Sequence, residues 1–369
     1  MSRILVLGAG MMGAAITVPA ADNAHSIVLV GTQYDADAIR SISESGWHPG
    51  LETQLSSYVE PFDLDFCGQN RTGPSENGQE EAQSAKPDLI ISAVTSAALP
   101  WACYWITQAF SDPIPVVLVA KGVSMHGSDL MPLSDFAAAE LKRRSGKNYP
   151  VVAIAGPCIA RDLANKHHTS VVLASRDLEA AKLVKRLLGT SYYHLQIEPD
   201  VDGAEFCAAF KNLYAIAVGW GAGTGARSSS TKGGVPTVNL KATLFAQALL
   251  EIGYLVEIFG GVDKTALGPA GAGDLYVTCD AGRNGRLGKH MGTGLSFRDV
   301  IAGPMRGETV EGAELGHLVE PHIKSMIASG KIASDRIPFL LAILHEICIG
   351  PHETFDFAEI LGIQKNLTS

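Results

Sequence analysis

The sequence predicts an α/β protein in which a sheet with flanking helices is followed by an all-helical second domain. Three observations support this prediction. An apolar strand, Arg3 to Leu7, runs directly into Gly-Ala-Gly-Met-Met-Gly at residues 8–13. Strand-like and helix-like runs then alternate as far as Ile197. Beyond this point the strand-like runs end and long helical stretches dominate, so we expect one domain over residues 1–198 and another over residues 199–369.

The glycine pattern at Gly8, Gly10 and Gly13 indicates a Rossmann dinucleotide-binding domain, because it lies between a strand and a helix-compatible stretch. Gly8 permits a tight turn, Gly10 leaves no side chain between the backbone and a pyrophosphate, and Gly13 lets the helix pack closely. The first helical turn, with Met11 and Met12, offers backbone N–H groups to the phosphates. A glycine-rich turn that binds nothing is the alternative.

The residues after the second predicted strand leave the cofactor open between NAD and NADP. An NAD-specific fold places Asp or Glu at that strand end, where the acid binds the ribose hydroxyls. Here Gly31 and Thr32 follow the strand, although Asp35 is near enough in sequence to reach the same place. Pro19 lies where the first helix should still be running, so we expect that helix to end or kink there.

The composition excludes several classes of protein. A net charge of −9 without a basic run argues against nucleic acid or an anionic membrane surface as a partner. The six cysteines show no CxxC spacing, which favours reduced thiols in the cytoplasm over disulfides or a metal site. The N-terminus has no signal-peptide pattern, and no apolar stretch reaches the roughly 18 residues of a membrane span.

Candidate polar residues follow predicted strands of the first domain. Lys121 and Gly122 come after the apolar run that ends at Ala120, where ligands of open α/β sheets bind. A solvated surface lysine is the alternative interpretation of Lys121. Gly156-Pro157 follows another apolar run, whereas residues 67–86 are polar, lack an apolar period and predict an exposed loop.

The second domain carries charged residues in unusual settings. Phe206, Phe210, Leu213 and Ala217 form one helical stripe, and Lys211 and Asn212 lie off it within an apolar helix. A lysine there either works as a proton donor and acceptor or is an exposed helix residue.

Further along, a glycine-dense segment from Gly268 to Gly285 implies close backbone approach. Its Asp274 could neutralise a buried lysine, and its Arg283 and Asn284 could bind a phosphate, unless the segment is a surface loop.

Together these motifs resemble the NAD(P)-dependent glycerol-3-phosphate dehydrogenases, and archaeal-type members are the most similar. The similarity spans most of the chain. The archaeal-type members also share the Val18-Pro19 pair of this sequence. The motifs that carry it are the GAGMMG turn, Lys121-Gly122, Gly156-Pro157, Glu205 through Lys211-Asn212, Asn239, Gly273-Asp274-Leu275 with Thr278, Gly282-Arg283-Asn284 and Val310-Glu311-Gly312.

The resemblance implies a Rossmann domain, an all-helical substrate domain and an active site in the cleft between them. It implies reversible hydride transfer between NAD or NADP and dihydroxyacetone phosphate, which gives sn-glycerol 3-phosphate. It also implies a small phosphorylated substrate as partner and permits a homodimer.

By matched motifs, Lys211 would be the general acid/base, Asp274 would hold it, and Lys121 would help polarise the carbonyl. The resemblance implies that the remaining residues bind substrate or cofactor: Asn212 and Thr278 at substrate hydroxyls, Arg283 and Asn284 at the phosphate, and Glu311 near the cofactor. Two lysines and a carboxylate supply a proton and stabilise developing negative charge without a metal.

Two departures from the family pattern leave the substrate open. Gln247 stands where the family usually carries Arg, and residues 222–236 form a Ser/Gly-rich segment whose Arg227 or Lys232 could add a contact. A related phosphorylated ketose or polyol therefore stays an alternative substrate. A non-catalytic protein that responds to NAD(P) is a third hypothesis, which leaves the site residues of the second domain unexplained.

Overall fold

The computed structural model describes residues 1–63, 86–127, 129–228 and 237–350, which fall into two compact units. The first unit comprises Met1–Ser124 and Met131–Val201, and the second comprises Met125–Leu130 and the chain from Asp202 onward. The predicted loop at residues 67–86 lies outside the described residues except for Lys86.

The described strands, in chain order, are β1 (Arg3–Leu7), β2 (Ser26–Gly31), β3 (Trp47–His48), β4 (Thr53–Gln54), β5 (Val59–Asp63), β6 (Leu89–Ser92), β7 (Val116–Leu118), β8 (Val123–His126), β9 (Asp129–Pro132), β10 (Val151–Ala155), β11 (Thr169–Ala174) and β12 (Tyr193–Glu198). Among the described residues, eight of them form one sheet in the order β12-β11-β10-β7-β6-β1-β2-β5. Neighbours pair in parallel except β10 and β11, which are antiparallel. The pairs β3–β4 and β8–β9 stand apart.

The described α-helices of the first unit are α1 (Met11–Asp22), α2 (Ala36–Ser45), α3 (Leu99–Ala109), α4 (Leu133–Ser145), α5 (Ala160–Ala164) and α6 (Leu178–Leu188). Those of the second unit are α7 (Val201–Ser228), α8 (Val238–Ile258), α9 (Asp274–Ala281), α10 (Arg283–Gly292), α11 (Phe297–Ala302), α12 (Glu311–Ala328) and α13 (Pro338–Cys348). A π-helical turn, Pro269–Gly273, leads into α9.

The sheet of the first unit is buried on both faces, which explains why its strands are apolar at successive positions. Ile4 and Val6 belong to one core cluster, and Leu5 and Leu7 belong to another. Because successive side chains of a strand point to opposite faces, β1 supplies both cores. The predicted class, a Rossmann domain followed by a helical domain, is confirmed.

Two helices bear on local predictions. Helix α1 does not end at Pro19, which was one of the two expected outcomes, but continues to Asp22, with residues Gly13 to Ala21 buried. The proline removes a single helical hydrogen bond, and burial along the whole helix outweighs that loss. The predicted stripe of α7 is buried, and burial extends nearly all round this helix from Ala204 to Trp220.

Candidate active site

Lys211 lies in the buried middle of α7, and its side chain is paired rather than exposed. Only 5% of the residue is accessible to solvent. Its Nζ donates to Asp274 Oδ1 at 2.9 Å and to Thr278 Oγ1 at 2.6 Å. Both acceptors are also buried and lie one turn apart on α9. The alternative of an exposed helix lysine is therefore wrong, and the sequence-predicted Lys211, Asp274 and Thr278 form one cluster.

The hydroxyl of Thr278 both accepts and donates a hydrogen bond. Its Oγ1 accepts from Lys211 Nζ and donates to the Asp274 carbonyl oxygen at 2.7 Å. A hydroxyl has one hydrogen, so the proton of Thr278 is directed to the backbone and its lone pair to the lysine. This geometry holds the ammonium in place and differs from the substrate contact that the resemblance implied for Thr278.

A second hydrogen-bond chain lies on the neighbouring residue of α7. Asn284 Nδ2 donates to Asn212 Oδ1 at 2.9 Å, and Asn284 Oδ1 accepts from Gly312 N at 2.9 Å. Gly312 has no room for a side chain, since a Cβ there would lie 2.5 Å from the Asn212 carbonyl oxygen. The buried amides thus join α7, α10 and the start of α12.

Close packing of glycines fixes α10 against α7. A Cβ on Gly285 would lie 2.3 Å from the Cys279 carbonyl oxygen, and one on Gly288 would lie 1.8 Å from the Ile216 carbonyl oxygen. A Cβ on Gly219 of α7 would in turn lie 2.2 Å from the Gly285 carbonyl oxygen. The backbone approach that the dense glycines predict is therefore helix against helix. It places Asn284 beside Asn212.

Two guanidinium groups on α10 are paired with two carboxylates, one just before α12 and one at its first residue. Arg283 pairs with Glu311, and Arg286, one turn further along, pairs with Glu308. All four side chains are roughly one-third to one-half exposed. The sequence-predicted Arg283 and Glu311 are thus in direct contact, while Arg286 and Glu308 were not singled out from the sequence.

Cys279 is the residue that follows Thr278 on α9. Burial raises the pKa of its thiol to about 12, so that this side chain is a neutral thiol at physiological pH. Cys279 therefore offers no thiolate nucleophile.

The glycine-rich turn of the first unit has the geometry that its sequence requires. Gly8 has φ +106°, in the region that favours glycine, and a Cβ on Gly13 would lie 1.9 Å from the Gly8 carbonyl oxygen. A Cβ on Gly10 would meet nothing nearer than Asp35 Oδ1 at 3.9 Å, so its surface is open. Met11 and Met12 begin helix α1 directly after this turn.

An open cavity of about 460 Å³ lies beside this turn, within the first unit. The residues that line it come from the carboxyl ends of β1, β2 and β6 and from the start of α3: Gly8, Gly10, Thr32, Gln33, Tyr34, Asp35, Ala93, Val94, Thr95, Ala98 and Trp101. Asp35 Oδ2 accepts from Thr32 Oγ1 at 2.7 Å, from Thr32 N at 2.8 Å and from Ala9 N at 3.1 Å. Asp35 therefore places a carboxylate beside the end of β2 and in the lining of this cavity.

Lys121 lies in the first unit, where its Nζ donates to the Gly156 carbonyl oxygen at 2.8 Å. This contact joins two of the motifs that the sequence placed after different strands. The side chain is half-buried, so the simple surface-lysine interpretation does not describe it.

Gln247, the residue that departs from the family pattern, has a local partner. Its Nε2 donates to Glu251 Oε1 at 2.9 Å, one turn along α8. Glu251 is buried and also accepts from Tyr214 Oη, Phe339 N and Leu340 N, each at 2.9 Å. No local sequence signal marked Glu251, because all of its partners except Gln247 lie on two other segments, α7 and α13.

Two sequence predictions fall beyond what the structure covers. Of the Ser/Gly-rich segment, residues 222–228 continue α7 and residues 229–236 lie outside the described residues, as does Lys232. The side chain of Arg227 is likewise not described. In the part of the chain that is described, no helix is both long and apolar enough to cross a membrane.

Comparison with known proteins identifies the family. The family model for the NAD-dependent glycerol-3-phosphate dehydrogenase N-terminus matches residues 76–181, and the model for its C-terminus matches residues 200–350. A protein of Archaeoglobus fulgidus named NADP(+)-dependent glycerol-3-phosphate dehydrogenase is 33% identical over 301 residues, which are 81% of this chain and 82% of the relative. A glycerol-3-phosphate dehydrogenase [NAD(P)+] of Bacillus velezensis is 30% identical and covers 85% of this chain and 82% of its own.

Solved structures share the fold at lower identity. The glycerol-3-phosphate dehydrogenase of Coxiella burnetii has a TM-score of 0.73, with 22% identity and coverage of 98% of both chains. That of Plasmodium falciparum has a TM-score of 0.75, with 16% identity and coverage of 100% of this chain and 96% of its own. With both family models and the relatives in agreement, this chain belongs to the family of NAD(P)-dependent glycerol-3-phosphate dehydrogenases.

Proposed function

We propose that this protein is an oxidoreductase that interconverts dihydroxyacetone phosphate and sn-glycerol 3-phosphate with NAD or NADP. Family membership supports this reaction, and the observation that carries it is the buried cluster of Lys211, Asp274 and Thr278. Ketone reduction requires a proton donor at the oxygen that gains negative charge. A buried lysine held by a carboxylate and a hydroxyl is suited to that role.

The glycine-rich turn fits a dinucleotide. Gly10 presents open backbone to the cavity, Gly13 brings helix α1 against the turn, and the first N–H groups of α1 have no side-chain cap. A helix N-terminus of this kind favours phosphate oxygens. We assign Gly8, Gly10, Met11, Met12, Gly13 and Thr32 to cofactor binding. The nicotinamide, when bound, supplies or accepts the hydride.

Lys211 gives a proton to the C2 oxygen of the ketone during reduction and takes it back during oxidation. Asp274 neutralises and orients the ammonium, since an unpaired buried charge would be costly. Thr278 directs a lone pair at the same nitrogen, so we assign it to holding the lysine. Lys121, which the Gly156 carbonyl oxygen anchors, is assigned to polarising the carbonyl on the strength of the family resemblance.

Arg283 and the start of α10 are proposed to bind the phosphate of the substrate. A guanidinium can form two parallel hydrogen bonds with phosphate oxygens. Gly282, the N-cap of α10, provides no capping side chain. Glu311 forms an ion pair with Arg283 in the described structure, so the substrate phosphate and this carboxylate compete for the same guanidinium.

Asn212 is proposed to bind a substrate hydroxyl. Asn212 Oδ1 accepts from Asn284. Among the described contacts, the amide nitrogen of Asn212 stays available to donate to the substrate. Asn284 donates its own amide to Asn212 and accepts from Gly312 N, so we assign it to orienting Asn212 as well as to the phosphate subsite.

The test is an initial-rate assay of the purified protein with NADH and NADPH on dihydroxyacetone phosphate and on a panel of other phosphorylated ketones. We expect dihydroxyacetone phosphate to have the highest kcat/KM. Lys211→Met should lower kcat by about 10²- to 10⁴-fold, the usual contribution of a general acid or base, while dinucleotide affinity stays unchanged. Turnover by Lys211→Met at the wild-type rate, or a preference for another ketone, would refute the corresponding assignment.

We further propose that the protein is a cytoplasmic homodimer. The family resemblance supports the dimer, and exposed apolar side chains of the second unit, including Val238, Leu250, Leu267 and Tyr276, offer surface for an interface. A cytoplasmic location is supported by the five described cysteines, which form no disulfide. Light scattering of the purified protein should give twice the mass of one chain, and a monomer would contradict the dimer.

A further inference from the structure

His48, a residue of the small β3–β4 hairpin, contacts the glycine-rich turn from its buried side. The residue is 3% exposed, and its Nε2 lies 3.0 Å from the Ala9 carbonyl oxygen. Leu51 N donates to His48 Nδ1 at 3.0 Å. Since Nδ1 accepts, it carries no hydrogen, and Nε2 is the nitrogen that donates to Ala9. These two contacts therefore fix the ring orientation of His48 and place its hydrogen on Nε2.

The hairpin that carries His48 contacts two helices of the first unit. Arg161 Nη2 lies 3.3 Å from both the Gly50 carbonyl oxygen and Glu52 Oε1. Glu52 has φ +54°, a left-handed conformation that a non-glycine residue adopts only where its surroundings impose it. A Cβ on Gly50 would lie 3.2 Å from both the His48 ring and the Met11 side chain. The hairpin is thus packed between α5 and the start of α1.

Both backbone polar groups of Ala9, its N–H and its carbonyl oxygen, form hydrogen bonds with side chains. Its N–H donates to Asp35 Oδ2 at 3.1 Å, and its carbonyl oxygen accepts from His48. The C=O and N–H of a trans peptide point in opposite directions. Because His48 holds the Ala9 carbonyl, the N–H of Gly10 in the same peptide group is directed away from His48. Gly10 lines the cavity beside the turn.

We propose that His48 is a positioning residue for dinucleotide binding, because its hydrogen bond to Ala9 aims the Gly10 N–H at a phosphate of the cofactor. This inference rests on the proposed function, because it assumes that the turn binds NAD or NADP. Asp35 holds the preceding peptide group in the same way, so the two side chains fix the turn before the cofactor arrives. A preorganised turn binds a phosphate with less loss of conformational entropy.

Two substitutions of His48 separate positioning from simple stability. In His48→Gln, the side-chain amide nitrogen can replace Nε2 and still donate to Ala9, but the bond from Leu51 is lost. In His48→Asn, the amide oxygen can replace Nδ1 and still accept from Leu51, but the bond to Ala9 is lost. Each variant loses one buried hydrogen bond, so both should be destabilised to a similar degree.

The readouts are the Kd values for NADH and NADPH, from fluorescence titration, and amide hydrogen exchange of residues 8–13 without ligand. We expect His48→Asn to raise both Kd values roughly three- to tenfold, the effect of one hydrogen bond, and to speed exchange at Gly10. His48→Gln should stay within about twofold of wild type in Kd. At saturating dinucleotide, kcat should be unchanged in both variants.

Gln54→Ala serves as the control, because Gln54 lies in the same hairpin and its described hydrogen bond goes to the Ser45 carbonyl oxygen of α2 instead of to the turn. It should leave both Kd values unchanged. Equal Kd values in His48→Asn and wild type, or equal losses in the Asn and Gln variants, would overturn the positioning role. A wild-type protein that binds neither NADH nor NADPH would instead refute the proposed function.

Discussion

At the scale of single residues, the position of the Lys211 ammonium depends on the hydroxyl of Thr278. Valine has nearly the same shape as threonine but carries no hydroxyl. Thr278→Val keeps the size and branching of the side chain but removes the acceptor for Lys211 Nζ. A hydrogen bond to a charged group contributes about 1.5–3 kcal/mol. We expect Thr278→Val to lower kcat roughly ten- to a hundredfold at saturating substrate, measured by initial rates.

The control for this prediction is Thr278→Ser, which keeps the hydroxyl and should retain most of the activity. Circular dichroism and an unfolding curve establish that both variants fold. If valine and serine gave the same kcat, Thr278 would have no part in holding the lysine.

A second residue-scale prediction concerns the carboxylate that pairs with Arg283. Glu311→Gln removes the negative charge that competes with a substrate phosphate for this guanidinium. Because the pair is half-exposed, its interaction is weak, on the order of 1 kcal/mol or less. The KM for dihydroxyacetone phosphate should therefore fall about two- to fivefold, and the effect should shrink at high salt.

Glu308→Gln is the matched comparison, because Glu308 pairs with Arg286, one turn further along α10. An equal fall in KM for the two variants would mean a general loss of negative charge rather than competition at Arg283. A rise in KM with Glu311→Gln would show instead that the carboxylate assists substrate binding.

At the scale of the elements, the buried carboxylate of Glu251 on α8 is hydrogen-bonded to both α13 and α7. It accepts from the backbone N–H groups of Phe339 and Leu340 in the first turn of α13 and from Tyr214 Oη of α7. Burial raises the pKa of Glu251, and these donors together with Gln247 oppose that shift. The helix start favours a negative charge at this position.

Glu251→Ala leaves several buried donors without an acceptor, so we expect it to lower the free energy of unfolding by about 3 kcal/mol. Glu251→Gln keeps one acceptor and should cost about half as much. Urea denaturation of the two variants measures the difference. A loss below about 1 kcal/mol for the alanine variant would contradict this account of how α13 is attached.

At the scale of the whole molecule, His25 makes stability depend on pH. Burial lowers the pKa of His25 below its ordinary value of 6.5, and the positive N-terminus adds to the effect. In the unfolded chain the imidazole takes up a proton as the pH falls through about 6.5, whereas in the folded chain it stays neutral to lower pH. The titration of His25 therefore lowers the stability of the fold as the pH falls below this range.

His25→Asn should reduce this loss, because the amide oxygen can still accept from Ser2 N but does not titrate. The measurement is the free energy of unfolding of both proteins at pH 7.5 and pH 5.5. We expect a smaller difference between the two pH values in the variant. An identical difference would show that other groups account for the acid sensitivity.

The sequence by itself determined the local features of this protein. Four consecutive apolar positions in β1, followed by Gly8, Gly10 and Gly13, define the strand, turn and helix of a dinucleotide-binding domain without reference to distant residues. The order of motifs likewise indicated the family and therefore the candidate lysine, aspartate and arginine. These features could be predicted because strand alternation and glycine conformations are properties of short segments.

Only the tertiary structure decided which of these groups meet. Lys211 and Asp274 are 63 residues apart in sequence, and Asn212 and Asn284 are 72 apart. Whether Lys211 was buried depended on neighbouring helices, so its own helix pattern left both a buried, proton-transferring lysine and an exposed one open. His48 and Glu251 gave no sequence signal, because each binds backbone groups of a distant segment, and a backbone group has no residue identity to find. Hydrogen bonds and charges act over a few ångströms of space, so their partners are fixed only when the chain has folded.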